Sequence, residues 1–216
     1  MDRAFRIRKT IAEMLVDRGY QNNAILIDMF KTNFDELKKK YKLTNPNLEL
    51  TNANGTEITI VAMKSADKFK KDNLIQLFGY AMELNKKKKK EDQEGIFMGT
   101  VVLLVFDTKI TSTIEKERDI LNSQGKKEGV FIETWLSENL EINISRSELN
   151  PKMRKISSEE VNELKKRYEL QSLNELPKIR HTDPMAKYLG ARTGMVLEIK
   201  RPSETTGITI GYRVVV

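Results

Sequence analysis

Apolar residues in the first part of the chain recur at three- and four-residue spacing, which is the period of an amphipathic helix. Ile7, Ile11, Met14 and Leu15 set this pattern near the N-terminus, and Gly19 ends it. The same spacing returns in two later segments. The helices predicted in this way are residues 3–19, 23–41 and 67–85.

Shorter apolar runs predict strands between these helices. Asn54 and Gly55 separate two such runs, and this dipeptide is a strong signal for a tight hairpin turn. The run 100–106 is continuously apolar after its first residue, which is typical of a central strand buried on both faces. The alternation of helices and strands predicts an α/β (α+β) layered domain. The predicted strands are 48–52, 56–63, 100–106 and 129–134, with a further helix at 111–122.

A polar stretch around residues 138–146 marks a domain boundary. Beyond it, Ser157 and Glu160 have the spacing of a capping box, which predicts the start of a new helix. The apolar face of that helix is predicted to bury Val161, Leu164 and Tyr168.

The C-terminal end combines a short helix with a hairpin. Asp183 and Pro184 have the order of an N-cap and a first-turn proline, and Gly190 is suited to a left-handed C-terminal cap. Two apolar runs, 195–199 and 208–216, then flank a polar, turn-rich loop at 201–207. These signals predict a small α/β unit with an arginine-bearing hairpin.

Composition narrows the function classes. The chain has 216 residues, of which 39% are hydrophobic and 32% charged, and no apolar run is long enough to span a membrane. The first residues lack an apolar signal core, so we expect neither secretion nor a membrane partner.

The chain has no cysteine and one histidine, His181, which excludes disulfides and leaves no ligand set for a histidine metal site or a catalytic triad. We therefore expect no metal and no cofactor. The net charge of +7 is compatible with weak attraction to nucleic acid.

Two C-terminal segments carry a family resemblance. DPMAKYLG at 183–190 and RPSETTG at 201–207, followed by Tyr212 and Arg213, closely resemble the assembly domain of the fifth-largest common subunit of the eukaryotic nuclear RNA polymerases I, II and III. The small archaeal counterpart of that subunit resembles the same domain. Further resemblance to the eukaryotic subunit lies in residues 5–11, 17–20, 141–144, 148–151 and 157–170. Archaeal relatives lack the N-terminal domain, so the length of this chain indicates a eukaryotic or virus-encoded member.

The resemblance implies a fold and a function. Residues 1–140 would form an N-terminal jaw domain that resembles the restriction-endonuclease fold without its catalytic site. Residues 141–216 would form a small α/β assembly domain that anchors the chain to the largest polymerase subunit. The chain would then be a noncatalytic subunit of a DNA-directed RNA polymerase, with other polymerase subunits as partners. It would act in the nucleus, or at the site of viral transcription if it is virus-encoded.

The resemblance also implies a DNA-facing turn where the buried strand ends. The family's Thr-Pro-Ser-Ala is here Thr111-Ser112-Thr113-Ile114. Helix-end amides and hydroxyls suit phosphate oxygens but do not read bases, so the implied contact with downstream duplex DNA is weak and non-specific. The alternative is that Thr111 or Ser112 only caps the helix. The implied DNA-facing residues are Lys109, Thr111, Ser112, Thr113 and Lys116.

The implied assembly surface comprises the short C-terminal helix and the hairpin. Its residues are Asp183, Pro184, Tyr188, Arg201, Ser203, Glu204, Thr205, Tyr212 and Arg213. Composition leaves open a second interpretation, in which the charged residues of the hairpin form salt bridges with one another.

Two features allow another function. The lysine run 86–90 is interpreted as a mobile, solvated connection, with a non-specific phosphate contact as the alternative. Asp107 and Lys109 have the acid-x-lysine spacing of metal-dependent nucleases, with Glu57 as a conceivable second carboxylate. A long helix separates the two acidic strands, which is the wrong order for that site. The alternative function is a free-standing, nuclease-like nucleic-acid-processing protein.

Overall fold

The computed structural model describes residues 3–20, 47–51, 57–92 and 97–216. The chain divides into two compact units, Met1–Ile142 and Asn143–Val216. The helix predicted at 23–41 and the turn predicted at Asn54 and Gly55 lie outside the described residues.

A four-stranded mixed sheet forms the centre of the first unit, with strands in the order β1-β2-β3-β4. The first two strands are antiparallel, as the predicted hairpin requires, and β2, β3 and β4 are parallel. Every residue of β3 is buried because the strand has a neighbour on each edge and is covered on both faces. The prediction of a central buried strand is therefore confirmed. The strands are β1 (Asn47–Thr51), β2 (Glu57–Lys64), β3 (Gly99–Phe106) and β4 (Val130–Leu136).

Two helices connect the parallel strands and cover one face of this sheet. They are α2 (Lys71–Glu91), between β2 and β3, and α3 (Ser112–Gly125), between β3 and β4. The ring of Phe69, just before α2, meets Phe106 edge-on at 5.1 Å between centroids. The core between the helices and the sheet includes Leu74, Phe78, Val102, Leu104, Phe106, Ile114, Leu121 and Ile132.

The N-terminal helix α1 (Arg3–Asp17) covers the opposite face. Ile60 and Ile132 belong to the core beneath α2 and α3. Their strand neighbours Thr59 and Glu133 therefore point to the opposite face of the sheet, because side chains alternate along a strand. Arg18 donates to Glu133 at 2.8 Å, and Tyr20 accepts a hydrogen bond from the Thr59 hydroxyl. The predicted amphipathic helix is thus confirmed, and its C-terminal end is held to the sheet by buried polar contacts.

The lysine run 86–90 is not the mobile, solvated connection that its charge indicated. These residues are helical, because α2 continues to Glu91. Asn85 is fully buried, donates to the Glu128 carbonyl at 2.8 Å and accepts from the Thr100 hydroxyl. Lys89 donates to the same carbonyl at 2.8 Å. These contacts hold the end of α2 against the sheet, so the run does not form a mobile connection.

The second unit has a four-stranded sheet in the order β5-β7-β8-β6. β5 and β8 both pair antiparallel with β7, whereas β6 pairs parallel with β8. The helices are α4 (Ser158–Arg167) and α5 (Pro184–Tyr188). The strands are β5 (Lys152–Lys155), β6 (Lys178–Ile179), β7 (Val196–Ser203) and β8 (Gly207–Val215). Both units are therefore mixed α/β, as predicted. No helix in the described ranges is long and apolar enough to cross a bilayer.

The helix starts of this unit follow the sequence signals. Ser157 accepts a hydrogen bond from the Glu160 amide, and the Glu160 carboxylate accepts from the Ser157 amide at 2.8 Å. Asp183 caps α5 by accepting from the amides of Met185 and Ala186. Gly190 follows α5 with a φ of 63°, a conformation that glycine adopts without strain. The predicted capping box, N-cap and left-handed cap are confirmed.

Two predictions for this unit are wrong in detail. Tyr168 follows the last residue of α4 and is 55% exposed, so it does not belong to the buried face of the helix as Leu164 does. The loop expected at 201–207 is shorter, because β7 continues to Ser203 and β8 begins at Gly207. Cross-strand pairing holds Arg201 opposite Thr209, so Arg201 lies on a strand.

A charged cluster ties β5, β7 and α4 together. Arg154 donates to both oxygens of Glu198, at 3.0 and 2.8 Å, and also to Glu160 at 3.0 Å. The Glu198 side chain is 7% exposed, so a guanidinium partner is needed to offset the cost of burying its charge. Hydrogen bonds from Arg154 and the Ser157 amide lower the pKa of Glu160 to about 2, and Arg154 also lowers the pKa of Glu198.

This cluster makes stability depend on pH. Both folded-state pKa values lie below the ordinary value of 4.5, so the stabilisation is present above about pH 4.5 and is lost as the pH falls towards about 2. Arg154→Ala should lower the free energy of unfolding by about 1–2 kcal/mol near neutral pH and flatten its acid dependence. Urea unfolding across this pH range measures both effects, with Lys152→Ala, on the same strand, as the control. An unchanged acid dependence in Arg154→Ala would show that the cluster does not stabilise the fold.

Candidate nucleic-acid interface and docking surface

The turn between β3 and α3 packs two side chains into the core and exposes its other side chains to solvent. Ile110 and Ile114 are buried and hold the backbone of the turn against the core. The five residues predicted to face DNA are all exposed and lie at this one end of the first unit. They are Lys109, Thr111, Ser112, Thr113 and Lys116.

The start of α3 leaves several donors unused. Thr111 occupies the N-cap position, and its carbonyl accepts from the amides of Ile114 and Glu115 at 3.0 and 3.2 Å. Its side chain makes no capping bond. Among the described residues, the amides of Ser112 and Thr113 and the hydroxyls of all three residues have no hydrogen-bond partner. Thr111 therefore occupies the cap position without using its hydroxyl for it.

The charges at this turn favour an anion only mildly. Lys109 and Lys116 form no ion pair with any described residue, and the helix start adds partial positive charge. Asp107 lies nearby in sequence and accepts a hydrogen bond from the Ala66 amide at 2.8 Å, which lowers its pKa and keeps it ionised. Glu115 is a second acidic residue in the first turn of α3. The arrangement is suited to a weak phosphate contact.

The carboxylates of the nuclease alternative are far apart. Glu57 begins β2 and pairs with Gly99, whereas Asp107 follows Phe106 at the other end of β3. Asp107 lies eight residues beyond Gly99, and at about 3.3 Å per residue the two carboxylates are separated by roughly 26 Å along the strands. No group of three or more acidic or histidine residues in the described ranges could hold a metal ion. Glu57 and Asp107 therefore do not form one metal site.

The residues predicted for the assembly surface fall into different environments. Asp183 and Pro184 begin α5, where the Asp183 carboxylate is engaged as the helix cap. Tyr188 is 1% exposed, and its hydroxyl accepts a hydrogen bond from Asn143 at 3.1 Å. This burial corrects the assignment of Tyr188 to the surface, because a core side chain does not contact a partner.

The hairpin residues are accessible and split into two groups. Ser203, Glu204 and Thr205 form the tip, where the hydroxyls of Ser203 and Thr205 lie 3.2 Å apart. Arg201, Tyr212 and Arg213 instead line a groove of about 370 Å³. In the described part of the chain neither Arg201 nor Glu204 forms an ion pair, so the interpretation of the hairpin as a salt-bridged structure is not supported.

The groove also contains residues that sequence reasoning missed. Tyr168, Leu170, Leu176, Pro177 and Ile210 line it beside the arginines. The sequence held no signal for this groove, because the alternating isoleucines of β8, at 208 and 210, suit a buried strand face equally well and are exposed only in the fold.

Comparison with known proteins covers both units. The family model described as RNA polymerase Rpb5, N-terminal domain, matches residues 1–97, and the one described as RNA polymerase Rpb5, C-terminal domain, matches residues 142–215. A protein of Caenorhabditis briggsae named DNA-directed RNA polymerases I, II, and III subunit RPABC1 is 30% identical over 220 residues, which is 99% of this chain and 96% of that protein.

The chain belongs to the Rpb5 family of RNA polymerase subunits. The Caenorhabditis elegans protein of the same name is 29% identical over 220 residues, again 99% of this chain and 96% of that protein. Rpb5 proteins are shared rather than catalytic subunits. The resemblance stated from the sequence is thereby confirmed.

An archaeal relative matches a shorter part. The Thermococcus celer protein named DNA-directed RNA polymerase subunit Rpo5 is 47% identical over 76 residues, which is 35% of this chain and 92% of that protein. The archaeal member is thus little longer than the C-terminal Rpb5 domain, as the resemblance implied.

Proposed function

We propose that this chain is a noncatalytic subunit of a DNA-directed RNA polymerase, in which it holds a DNA-facing turn and a docking surface on two separate domains. The observation that carries this proposal is the alignment, over nearly the whole length, with relatives named as subunits of RNA polymerases I, II and III. The names of these relatives support a nuclear location, or the site of viral transcription if the chain is virus-encoded.

The first domain, residues 1–140, serves as a jaw at the downstream DNA. Its mixed sheet with helices on both faces is compatible with a restriction-endonuclease-like scaffold. The separation of Glu57 and Asp107 supports a scaffold without a catalytic site. The same separation disfavours a free-standing nuclease as the function of this chain.

The second domain, residues 141–216, anchors the chain to the largest polymerase subunit. The accessible hairpin and its groove support this role, because apolar side chains lie on one surface with two arginines that form no ion pair with a described residue. An exposed apolar patch rimmed by polar residues is typical of a protein-protein contact.

Incorporation into the polymerase tests the proposed function. The wild-type chain, tagged and expressed in its source cells, should copurify with polymerase subunits identified by mass spectrometry. Arg201→Glu should weaken incorporation by on the order of 2 kcal/mol, because a charge reversal at a desolvated contact is costly. Lys152→Glu is the control, since β5 lies at the opposite edge of the sheet. Absence of polymerase subunits from the wild-type sample would refute the function.

The two-domain organisation leads to a separate expectation. A fragment of residues 141–216 should be soluble, show a cooperative thermal transition and copurify with the polymerase. The reason is that its sheet, helix caps and charged cluster are all formed by residues of the second unit. A fragment that stays unfolded by circular dichroism even with its partner present would argue against this boundary.

The β3–α3 turn is proposed to contact downstream duplex DNA through phosphates. Unused amides and hydroxyls support this, as does the absence of any ion pair between the two lysines and the described residues. Nothing in the turn presents a groove-entering element with paired donors for base edges. The contact is therefore independent of DNA sequence.

Charge reversal at this turn tests the DNA contact. Lys109→Glu combined with Lys116→Glu should weaken crosslinking of the chain to downstream DNA in the assembled polymerase and leave incorporation unchanged. The isolated wild-type chain should bind duplex DNA with a Kd of roughly 10⁻⁴ to 10⁻⁶ M and lose binding as salt rises. Arginine at both positions keeps the charge and is the control. Equal crosslinking by all three proteins would remove the turn from the DNA interface.

A further inference from the structure

The sheet of the second unit has an edge that is paired at one end only. β6 consists of Lys178 and Ile179, and it pairs with Val214 and Val215 at the C-terminal end of β8. The amides of Val214 and Val216 donate to the carbonyls of Pro177 and Ile179 at 2.9 and 2.8 Å. The rest of β8 extends beyond this short neighbour.

Pro177 ends the pairing for a chemical reason. Val214 pairs with Lys178, so in a parallel ladder its backbone hydrogen-bonds residues 177 and 179. If the pairing continued along β8, the backbone of Tyr212 would hydrogen-bond residues 175 and 177 in the same way. Proline has no amide hydrogen, so residue 177 cannot donate to the Tyr212 carbonyl. The chain turns away into a 3₁₀ helix at Leu173–Glu175. Strand alternation then directs the amides and carbonyls of Ile210 and Tyr212 to the open edge, away from β7.

The groove lies along this open edge. Thr209, Ile210, Gly211 and Arg213 of β8 line one side, and Leu170 and Leu176 of the segment between α4 and β6 line the other. Nothing lies within 4 Å of the position that a Cβ atom would occupy on Gly211. Ile210 is 47% exposed. The edge therefore offers backbone partners next to space for an apolar side chain.

The charges around the groove indicate what it accepts. Arg201 and Arg213 both line it, and neither forms an ion pair with a described residue. Within the described ranges, the only hydrogen bond of the Arg213 guanidinium is to the Lys178 carbonyl, at 3.5 Å. An acidic side chain of a partner would supply the missing anion. A second copy of this chain would instead bring two more arginines to the same place, which disfavours self-pairing.

We propose that an extended segment of another polymerase subunit adds to the open edge of β8 as a fifth strand, with an apolar side chain in the groove over Gly211 and an acidic side chain beside Arg201 and Arg213. Main-chain hydrogen bonds to Ile210 and Tyr212 give this contact its direction, and the groove and the arginines select the side chains. The inference rests on the proposed function, because it specifies how the second domain binds its partner.

Filling the groove is the first test. Gly211→Val places a side chain in open space at a glycine whose φ is not left-handed, so the isolated chain should keep its Tm. It should lower copurification of polymerase subunits by about tenfold or more, because the partner's apolar side chain loses its place. Gly79→Ala, at another glycine with open space around its Cβ position but on α2, is the control and should copurify like the wild type.

Removing the outward amide is the second test. Ile210→Pro deletes an N–H that faces the open edge and leaves the bonds between β7 and β8 in place, as an edge-strand proline can. Ile210→Ala removes the same side chain but keeps the amide. The proline variant should copurify at least about fivefold less than the alanine variant, and both should remain monomeric and folded by light scattering and circular dichroism.

Each outcome decides a different claim. A wild-type chain without polymerase subunits would defeat the proposed function and this inference with it. A wild-type chain that copurifies, with Gly211→Val equal to it, would overturn the inference alone. Equal losses in Ile210→Pro and Ile210→Ala would overturn strand addition. A wild-type chain that is dimeric through this edge would do the same.

Discussion

Backbone hydrogen bonding at strand edges is the constraint on which both units depend. A buried strand must pair along its whole length because its amides and carbonyls have no water to bond. β3 meets this requirement through β2 and β4, which explains why its continuous apolar run is tolerated. β8 is buried only at its C-terminal end, where the two residues of β6 pair with it, and its exposed part pairs with β7 on one side only. The first unit is therefore closed around its central strand, and the second unit keeps an edge available.

Sequence signals predicted the elements whose causes are local. The capping pair of Ser157 and Glu160, the Asp183 cap and the apolar run of β3 each act within a few residues, and each appears where the pattern indicated. The lysine run 86–90 instead continues α2, and its position against the sheet depends on Asn85, which bonds the Glu128 carbonyl 43 residues away. Long-range partners of this kind leave no local signature.

The two functional surfaces were predictable to different degrees, because one depends on local sequence and the other on contacts between distant segments. The β3–α3 turn follows directly from a strand that ends and a helix that begins, so its exposed residues could be named from the sequence. The groove depends on Pro177 stopping a strand that pairs with a distant segment, so only the fold reveals it. Tyr188 is the converse case, because it lies within a recognisable motif and yet is buried.

The distribution of charge explains how a chain of net charge +7 need not bind nucleic acid tightly. Several carboxylates are paired with arginines inside each unit, as in Glu133 with Arg18 and Glu198 with Arg154. At the β3–α3 turn, Asp107 and Glu115 accompany Lys109 and Lys116, so the local charge is close to balanced. A balanced turn on a chain of positive net charge combines long-range attraction with little affinity at the site.

The departure from the family motif at this turn also has a physical interpretation. The resemblance implies alanine at the position of Ile114, whose side chain is 4% exposed and packs with the core beneath the turn. Ile114 therefore contributes to the interior and not to the outer surface of the turn. The resemblance implies proline at the position of Ser112, the first residue of α3, and a serine there supplies an amide and a hydroxyl that proline lacks. The donors that the proposed phosphate contact requires are mainly backbone amides, so neither residue removes them.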